Sequence, residues 1–562
     1  MNALNLPFSL SKIFILGLVY FSTISLSHAQ VELRDTVIHW QHHSFELYDD
    51  YSIKTNSTID SDIQQITFSK AKVIENDYIR LVLLPEYGGR VLSFVYKPTN
   101  HEYLYQSECG SAYGIDDGNF YYNWLMVYGG IFPTFPEPEH GKTWLIPWDF
   151  SVLKQSEDTV TIRMEYQDST AYSQAPGQFN NGITDITCQV EVSVYKNSTL
   201  WDYDIKLINN KPSDIKYEYW TCTTLSPGSE IGNTGSPLNS EIIIPVEKYF
   251  TGWSPGGWIG NFPSLDLSNI NYLDEWKDMG IAYAEELNDI YWGVINHENE
   301  EGIFRISDNE ETYGMKLWTW GRDNIDNNLY DYSNGGADNY IELWAGTSRS
   351  FFTDAVLEAN EQKSWKESYF ATVSLASIAN MNNVAAVALD WQNSTQELTY
   401  SLNTFQTNKT YWAEVLIDGQ LEPSIPNQQI DFNPLGHSEV ISFEELNLIS
   451  GDHLITLNLL NESGEVELNA AVNIEVEPVL SVFRPEIQKF DFEVYKESQN
   501  ELRIVLPDND RYTIQILDLN GKIISSVMSS TTEIIEMEQP GLYIIRVSNQ
   551  AIMSSKKIIW QP

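Results

Sequence analysis

Short runs in which apolar and polar residues alternate with a period of two recur along nearly the whole chain. Few segments carry a 3.6-residue period long enough for a core helix. Ala71–Val73, Ile79–Leu84, Val91–Tyr96, Val160–Tyr166, Ile186–Tyr195, Trp201–Leu207, Gly302–Ile306 and Tyr340–Ala345 each read as a strand with one face turned to a core. Turn chemistry separates them, as in Glu86-Tyr87-Gly88-Gly89 and Asn209-Asn210-Lys211-Pro212. So many strands in one stretch predict a large antiparallel sandwich or barrel spanning 31–372.

The texture changes after that. Over 377–476, Val384–Trp391, Leu398–Leu402, Tyr411–Ile417, Leu454–Leu460 and Leu468–Val476 alternate with the length and rhythm of an immunoglobulin-like β-sandwich, with Asp418-Gly419 as a turn. Nothing in that stretch carries chemistry, so spacer duty is expected of it. Residues 477–488 read as a linker. Residues 489–562 are again small and all β, with Tyr512–Leu519 running into an Asn520-Gly521 hairpin turn. The predicted fold class is all-β throughout, in three successive β-sandwich domains.

One segment breaks the rhythm. Gly129–Phe150 holds Pro133, Pro136, Pro138 and Pro147, with His140-Gly141 in the middle and Glu137 and Glu139 just before the histidine. Proline lacks the ladder donor, so this density predicts a long stiff loop rather than a central strand. A stiff loop on a rigid scaffold is where binding groups sit; the plain alternative is a surface loop with an idle histidine.

At 562 residues the chain is too long for one core. A formal charge of −45, from 78 acidic against 33 basic residues, argues strongly against nucleic acid and anionic membranes as partners. Aromatic residues make up 13% of the chain, which argues against disorder and supplies flat faces for stacking. Residues 1–29 read as a secretory signal: Lys12, the apolar run Ile13–Leu26, then Ser27-His28-Ala29; no later stretch is apolar enough to span a bilayer. Cys109, Cys188 and Cys222 are odd in number and read as buried or partly paired thiols, with no zinc spacing. The acidic run Asp323–Asp338 offers oxygen ligands suited to calcium but lacks a fixed calcium-loop spacing, and a solvated loop is the plainer reading. No other cofactor is indicated.

Four motifs in order then resemble the galactose-mutarotase-like, or aldose-epimerase, superfamily. They are Glu75–Leu81 leading through Leu84-Pro85-Glu86-Tyr87-Gly88-Gly89-Arg90, Pro138-Glu139-His140-Gly141 with Ile146-Pro147-Trp148, Lys316–Gly321, and Asn339–Gly346. The likeness is to a domain-of-unknown-function family in that superfamily and covers most of 70–372. It implies a β-supersandwich with a sugar-binding face, on which a glutamate takes the anomeric proton while a histidine protonates the ring oxygen. Carried over, Glu342 matches the base, His140 the first sugar-contacting histidine and Arg90 the arginine near the substrate. The proton-donating histidine is missing: where it belongs the chain reads Glu218-Tyr219-Trp220-Thr221-Cys222. His140 or Tyr219 would have to take the acid role, or the face binds sugar without turning it over.

Glu342 has its plain alternative as the outward side of an alternating strand, and Arg90 as the partner of a sheet carboxylate. Trp144, Trp148, Trp220, Trp320 and Trp344 are candidate stacking faces for a pyranose, each with core packing as its alternative. The segment 489–562 resembles the C-terminal sorting domain read by type IX secretion systems, on Tyr512–Lys522, Gln539–Val547 and Lys556–Ile559. That resemblance implies export through the periplasm to the outside or the cell surface. The expected function is a secreted protein that acts on, or only binds, a sugar or glycan; its expected partners are that carbohydrate and the secretion machinery.

Overall fold

A computed structural model of the chain describes residues 30–43, 63–106, 109–110, 129–137, 141–143, 146–171, 182–231, 235–246, 249–250, 271–276, 280–284, 287–319, 340–443, 446, 448–476, 491–519, 521–537, 539–549 and 553–561. It divides into two compact units, Met1–Leu448 with Asp452–Val476, and Ile449–Gly451 with Glu477–Pro562.

Among the described residues the first unit opens with two large sheets of twelve and eight strands, antiparallel except where Glu32–His43 pairs with Cys109–Gly110 at one edge. Alternation builds the core between them: Ile79, Leu81 and Leu83 on one sheet share a buried cluster with Val160, Ile162, Met164, Val190 and Val192 on the other. The predicted strand Ile79–Leu84 is found with those bounds, and Trp201–Ile208 and Thr159–Gln167 lie within a residue of prediction. Glu367 ties the layers together. It lies in the eight-stranded sheet and accepts hydrogen bonds from Thr221 Oγ1 of the twelve-stranded one at 2.9 Å, from Trp365 Nε1 at 3.2 Å and from Tyr369 OH, with the Arg305 guanidinium as its ion-pair partner at 3.2 Å. A buried carboxylate is tolerable only when it is partnered in this way.

The proline-rich segment corrects one expectation. Ile131–Thr134, with Pro133 inside it, is a strand of the twelve-stranded sheet. It pairs over four positions with Trp220–Glu230, from Ile131↔Thr223 to Thr134↔Trp220, but touches the Arg90–Tyr96 strand only at Val91↔Ile131. Pro133 therefore sits beyond the one-position contact, where only one neighbour is paired and a missing donor costs little.

Besides a two-stranded pairing of Ile215–Tyr217 with Ala355–Leu357, the described rest of the first unit is a four-stranded and a five-stranded sheet around Leu398, Tyr400, Val415, Leu457 and Leu459. It is fastened to the eight-stranded sheet. The rings of Phe370 and Phe405 lie 4.0 Å apart in a shared cluster, and the Asn403 amide bonds both the N–H and the carbonyl of Val373.

The second unit packs a three-stranded and a four-stranded sheet around Ile504, Ile514, Ile516, Ile545 and Trp560. Gly521, at φ +77°, closes the Asp518–Lys522 turn in a conformation that favours glycine.

Candidate functional site

Register decides which side chains share a face. Val91, Ile131, Thr223, Leu343 and Leu317 stand abreast across five strands of the twelve-stranded sheet, four of them in its hydrophobic core. The period of two then turns the next row to the opposite face: Arg90, Phe132, Cys222, Trp344 and Lys316, continued by Tyr283. The neighbouring row on that face holds Thr224, Glu342 and Trp318. Glu342, Trp344 and Trp220 thus emerge together on the side of the sheet away from the main core, as does Arg90. Arg90 lies three strand spacings from the Glu342 strand, about 14 Å at ~4.8 Å per step.

Glu342 is the centre of the arrangement. Its Oε2 accepts the Trp344 indole N–H at 2.8 Å, its Oε1 accepts Tyr340 OH at 3.3 Å, and Lys316 Nζ stands 3.8 Å from Oε2. Only 6% of the residue is exposed. Burial outweighs the lysine and the two hydrogen bonds, and the carboxyl is held above its ordinary range. Lys316 also lies 3.6 Å from the centre of the Trp344 ring. Tyr340 stacks on Tyr105 at 4.2 Å and approaches Trp318 at 5.8 Å. A carboxyl with a raised pKa beside an ammonium and a tyrosine hydroxyl is equipped to exchange a proton.

The other candidates fall in different places. Arg90 is 1% exposed; its guanidinium donates to the carbonyls of Gly129 and Tyr87 and lies 4.3 Å over the Phe132 ring. Through these two carbonyls it holds the entry of the proline-rich segment. Trp148 is in the main core, 4% exposed, packed under Gly89 with its indole bonded to Thr143 O. Trp220 and Trp344 are both 0% exposed, so none of these three tryptophans offers the open stacking face expected of it. Core packing took those rings because each fills volume beside a glycine or another ring. His140, Trp144, Trp320 and the acidic run 323–338 lie outside the described residues. Cys188 is a buried thiol, and among the described residues no group of three acidic, histidine or cysteine side chains is arranged to hold a metal.

Lys316, Tyr340 and Tyr105 were missed in the sequence. Lys316-x-Trp318 and Tyr340-x-Glu342-x-Trp344 do show the right alternation, but nothing in the order of residues says that the two runs are neighbours.

Trp220 occupies the position where the family pattern expects the proton donor. It lies over Gly346, where an added Cβ would meet its ring at 2.2 Å, and edge-on to Phe351 at 5.2 Å. Gly346→Ala is therefore expected to unseat the indole and cost about 1–3 kcal/mol, the usual penalty of overpacking, read by chemical denaturation. The Trp220 N–H donates to Glu218 Oε2 at 3.2 Å. Burial pushes that carboxyl up to about 8, only partly offset by the indole and by the amides of Phe352 and Thr353. Between the ordinary 4.5 and about 8 the native chain keeps a proton that the unfolded chain has released. Stability from this group accordingly falls as pH rises through that window and levels off above it. Glu218→Gln should remove the slope, so that the variant gains on the parent in melting temperature from pH 5 to pH 8. A parallel pair of curves would contradict the assignment.

These features define an all-β protein whose largest sheet carries a buried carboxyl–lysine–aromatic cluster on its far side. Residues 42–223 match the model of a family described as a domain of unknown function, DUF5107, and residues 498–561 match the secretion system C-terminal sorting domain. The chain carries both, and the sorting domain assigns it to the type IX secretion route, hence to the cell surface or the extracellular space. Among the described residues no helix is long and apolar enough to cross a membrane. Similar solved structures include a TPR-domain containing protein from Parabacteroides distasonis, 15% identical over 63% of this chain and 57% of that one, with a TM-score of 0.49. The chain thus spans little more than half of that protein's length. Galactose mutarotase-like proteins from Clostridium acetobutylicum (11% identical, 61% and 99% covered, TM-score 0.40) and Lactobacillus casei (12%, 54% and 100%, 0.37) are also similar.

Proposed function

We propose that this exported protein performs acid–base chemistry on a sugar or glycan, with Glu342 as the proton-exchanging group. The observation that carries the reading is the Glu342 carboxyl itself, buried, raised in pKa, and held between Trp344, Tyr340 and Lys316 on the sheet face that the motif resemblance assigns to sugar. An uncharged sugar ring asks of a catalyst chiefly that an acid and a base be positioned at its acetal. Epimerisation needs one proton taken from the anomeric hydroxyl and one given to the ring oxygen; glycosidic cleavage needs the same pair of roles. Glu342 supplies the base, and His140 is the acid this reading assigns.

The second reading, glycan binding without turnover, is favoured by Trp220, which stands where the motif pattern places a proton donor and is committed to Glu218 and Gly346. One experiment separates the two. The exported protein is incubated with a panel of glycans and free aldoses while sugar release and anomer interconversion are followed, with Glu342→Gln as control. Turnover that is lost in the variant upholds catalysis. Binding without turnover establishes the second reading, and turnover unchanged in Glu342→Gln removes the base assignment.

A further inference from the structure

On the other large sheet from Glu342, a groove of about 470 Å³ opens where the eight-stranded sheet meets the sandwich that follows it. Its floor is held by backbone. Thr199 N–H bonds Phe405 O, Thr407 N–H bonds Asn197 O, and Ser198 bridges Gln406. Phe405, a neighbour of Gln406 in the lining, packs on Phe370, so the groove lies on a fixed junction of two layers, the kind of place where small-molecule sites concentrate.

Its lining leans towards positive charge. Asp202 is spent: its oxygens accept Tyr195 OH, Ser368 Oγ and Lys366 Nζ, each at 2.7 Å. Asp158, the other carboxylate of the lining, pairs with no cation among the described residues, so the unpaired lysines outnumber it two to one. Against these stand the half-buried Lys196 and Asn197 and the exposed Lys409, Asn383 and Asn408; the two lysines pair with no carboxylate among the described residues, and the three amides make no side-chain hydrogen bond among them, so water solvates them at the groove's open side. Ammonium groups only donate, while amides both donate and accept. An occupant that satisfies all five carries negative oxygen atoms for the lysines and hydroxyls for the amides. The groove has the volume of sites that take whole small molecules, and a bare inorganic anion would leave the amides unused.

The geometry points to an acidic saccharide, a sugar unit bearing a carboxylate or sulfate group, as the ligand of this groove. The anionic half of the assignment rests on the groove alone; the saccharide half rests on the function proposed above. The site is separate from Glu342, so the protein would hold a charged glycan at one place and act on it at another, and one chain engaging both places gains from effective concentration.

The test is calorimetric titration of the exported protein with an oligogalacturonate, a sulfated disaccharide, a neutral oligosaccharide of equal length, inorganic sulfate and a short polyglutamate peptide. Binding of the oligogalacturonate or the sulfated disaccharide, at least tenfold tighter than of the neutral sugar and weakened severalfold by 0.5 M salt, is the expected result. Which of the two binds identifies the acidic group. The double variant Lys196→Glu/Lys409→Glu should weaken that binding at least tenfold with the melting temperature unchanged, and Asn383→Ala should weaken it severalfold. Inorganic sulfate or polyglutamate binding as tightly as the acidic sugar overturns the saccharide assignment. No acidic ligand binding, or binding indifferent to the lysine reversal, overturns the site. Glu342→Gln is expected to leave groove affinity intact while abolishing turnover, so failure of the groove and failure of the catalytic reading give different results.

Discussion

Replacing Lys142 by alanine is expected to cost the fold about 3–5 kcal/mol, the range for a buried ion pair deprived of one partner. Lys142 Nζ lies 3.0 Å from Asp168 Oδ1 and 3.9 Å from Glu137 Oε1, and donates to Gly182 O at 2.5 Å. The Lys142 and Asp168 side chains are 0% exposed. Asp168 Oδ2 is taken by the amide and hydroxyl of Thr184, so without the lysine one buried charge faces only dipoles. The cluster fastens the proline-rich segment to the end of the Thr159–Gln167 strand and to residues 182–186. Denaturant unfolding measures the loss. The double variant Lys142→Met/Asp168→Asn should recover much of it, because charge rather than volume is what the single variant strands. A single variant within 1 kcal/mol of the parent would show that this pair is not buried as described.

Glu342→Gln is expected to lower kcat/KM on the responsive sugar by about 10²–10⁴, the usual contribution of one positioned acid or base. Glutamine keeps the acceptor for Trp344 and nearly the same volume, but cannot take a proton. The stability cost should be small, since burial already disfavours the charged carboxylate. Steady-state kinetics beside a melting curve distinguishes the outcomes. A large fall in rate with unchanged melting assigns chemistry to the carboxyl; a parallel fall in both assigns it a structural part.

Much of this architecture is legible in the order of residues. Strands at Ile79, Trp201, Tyr411 and Tyr512 follow from alternation, because a half-buried strand must present apolar residues every second position. The proline count around Pro133 misled, since proline is excluded from a central ladder only when both sides of the strand are paired. The tryptophans misled for a different reason. A large aromatic ring fills a core and a sugar site equally well, and alternation alone does not say which rings a neighbouring strand will cover.

The residue order by itself determined an all-β chain, the facing of most strands, and Glu342 on the side of its strand away from Ile341 and Leu343. Only tertiary structure decided what meets that carboxyl. Lys316 precedes it by a long stretch of chain and Tyr105 by far more, yet the order of strands sets Lys316 beside it and stacks Tyr105 on Tyr340. Strand order is settled by which faces bury together at least cost. That competition involves the whole chain, so no local pattern records its outcome.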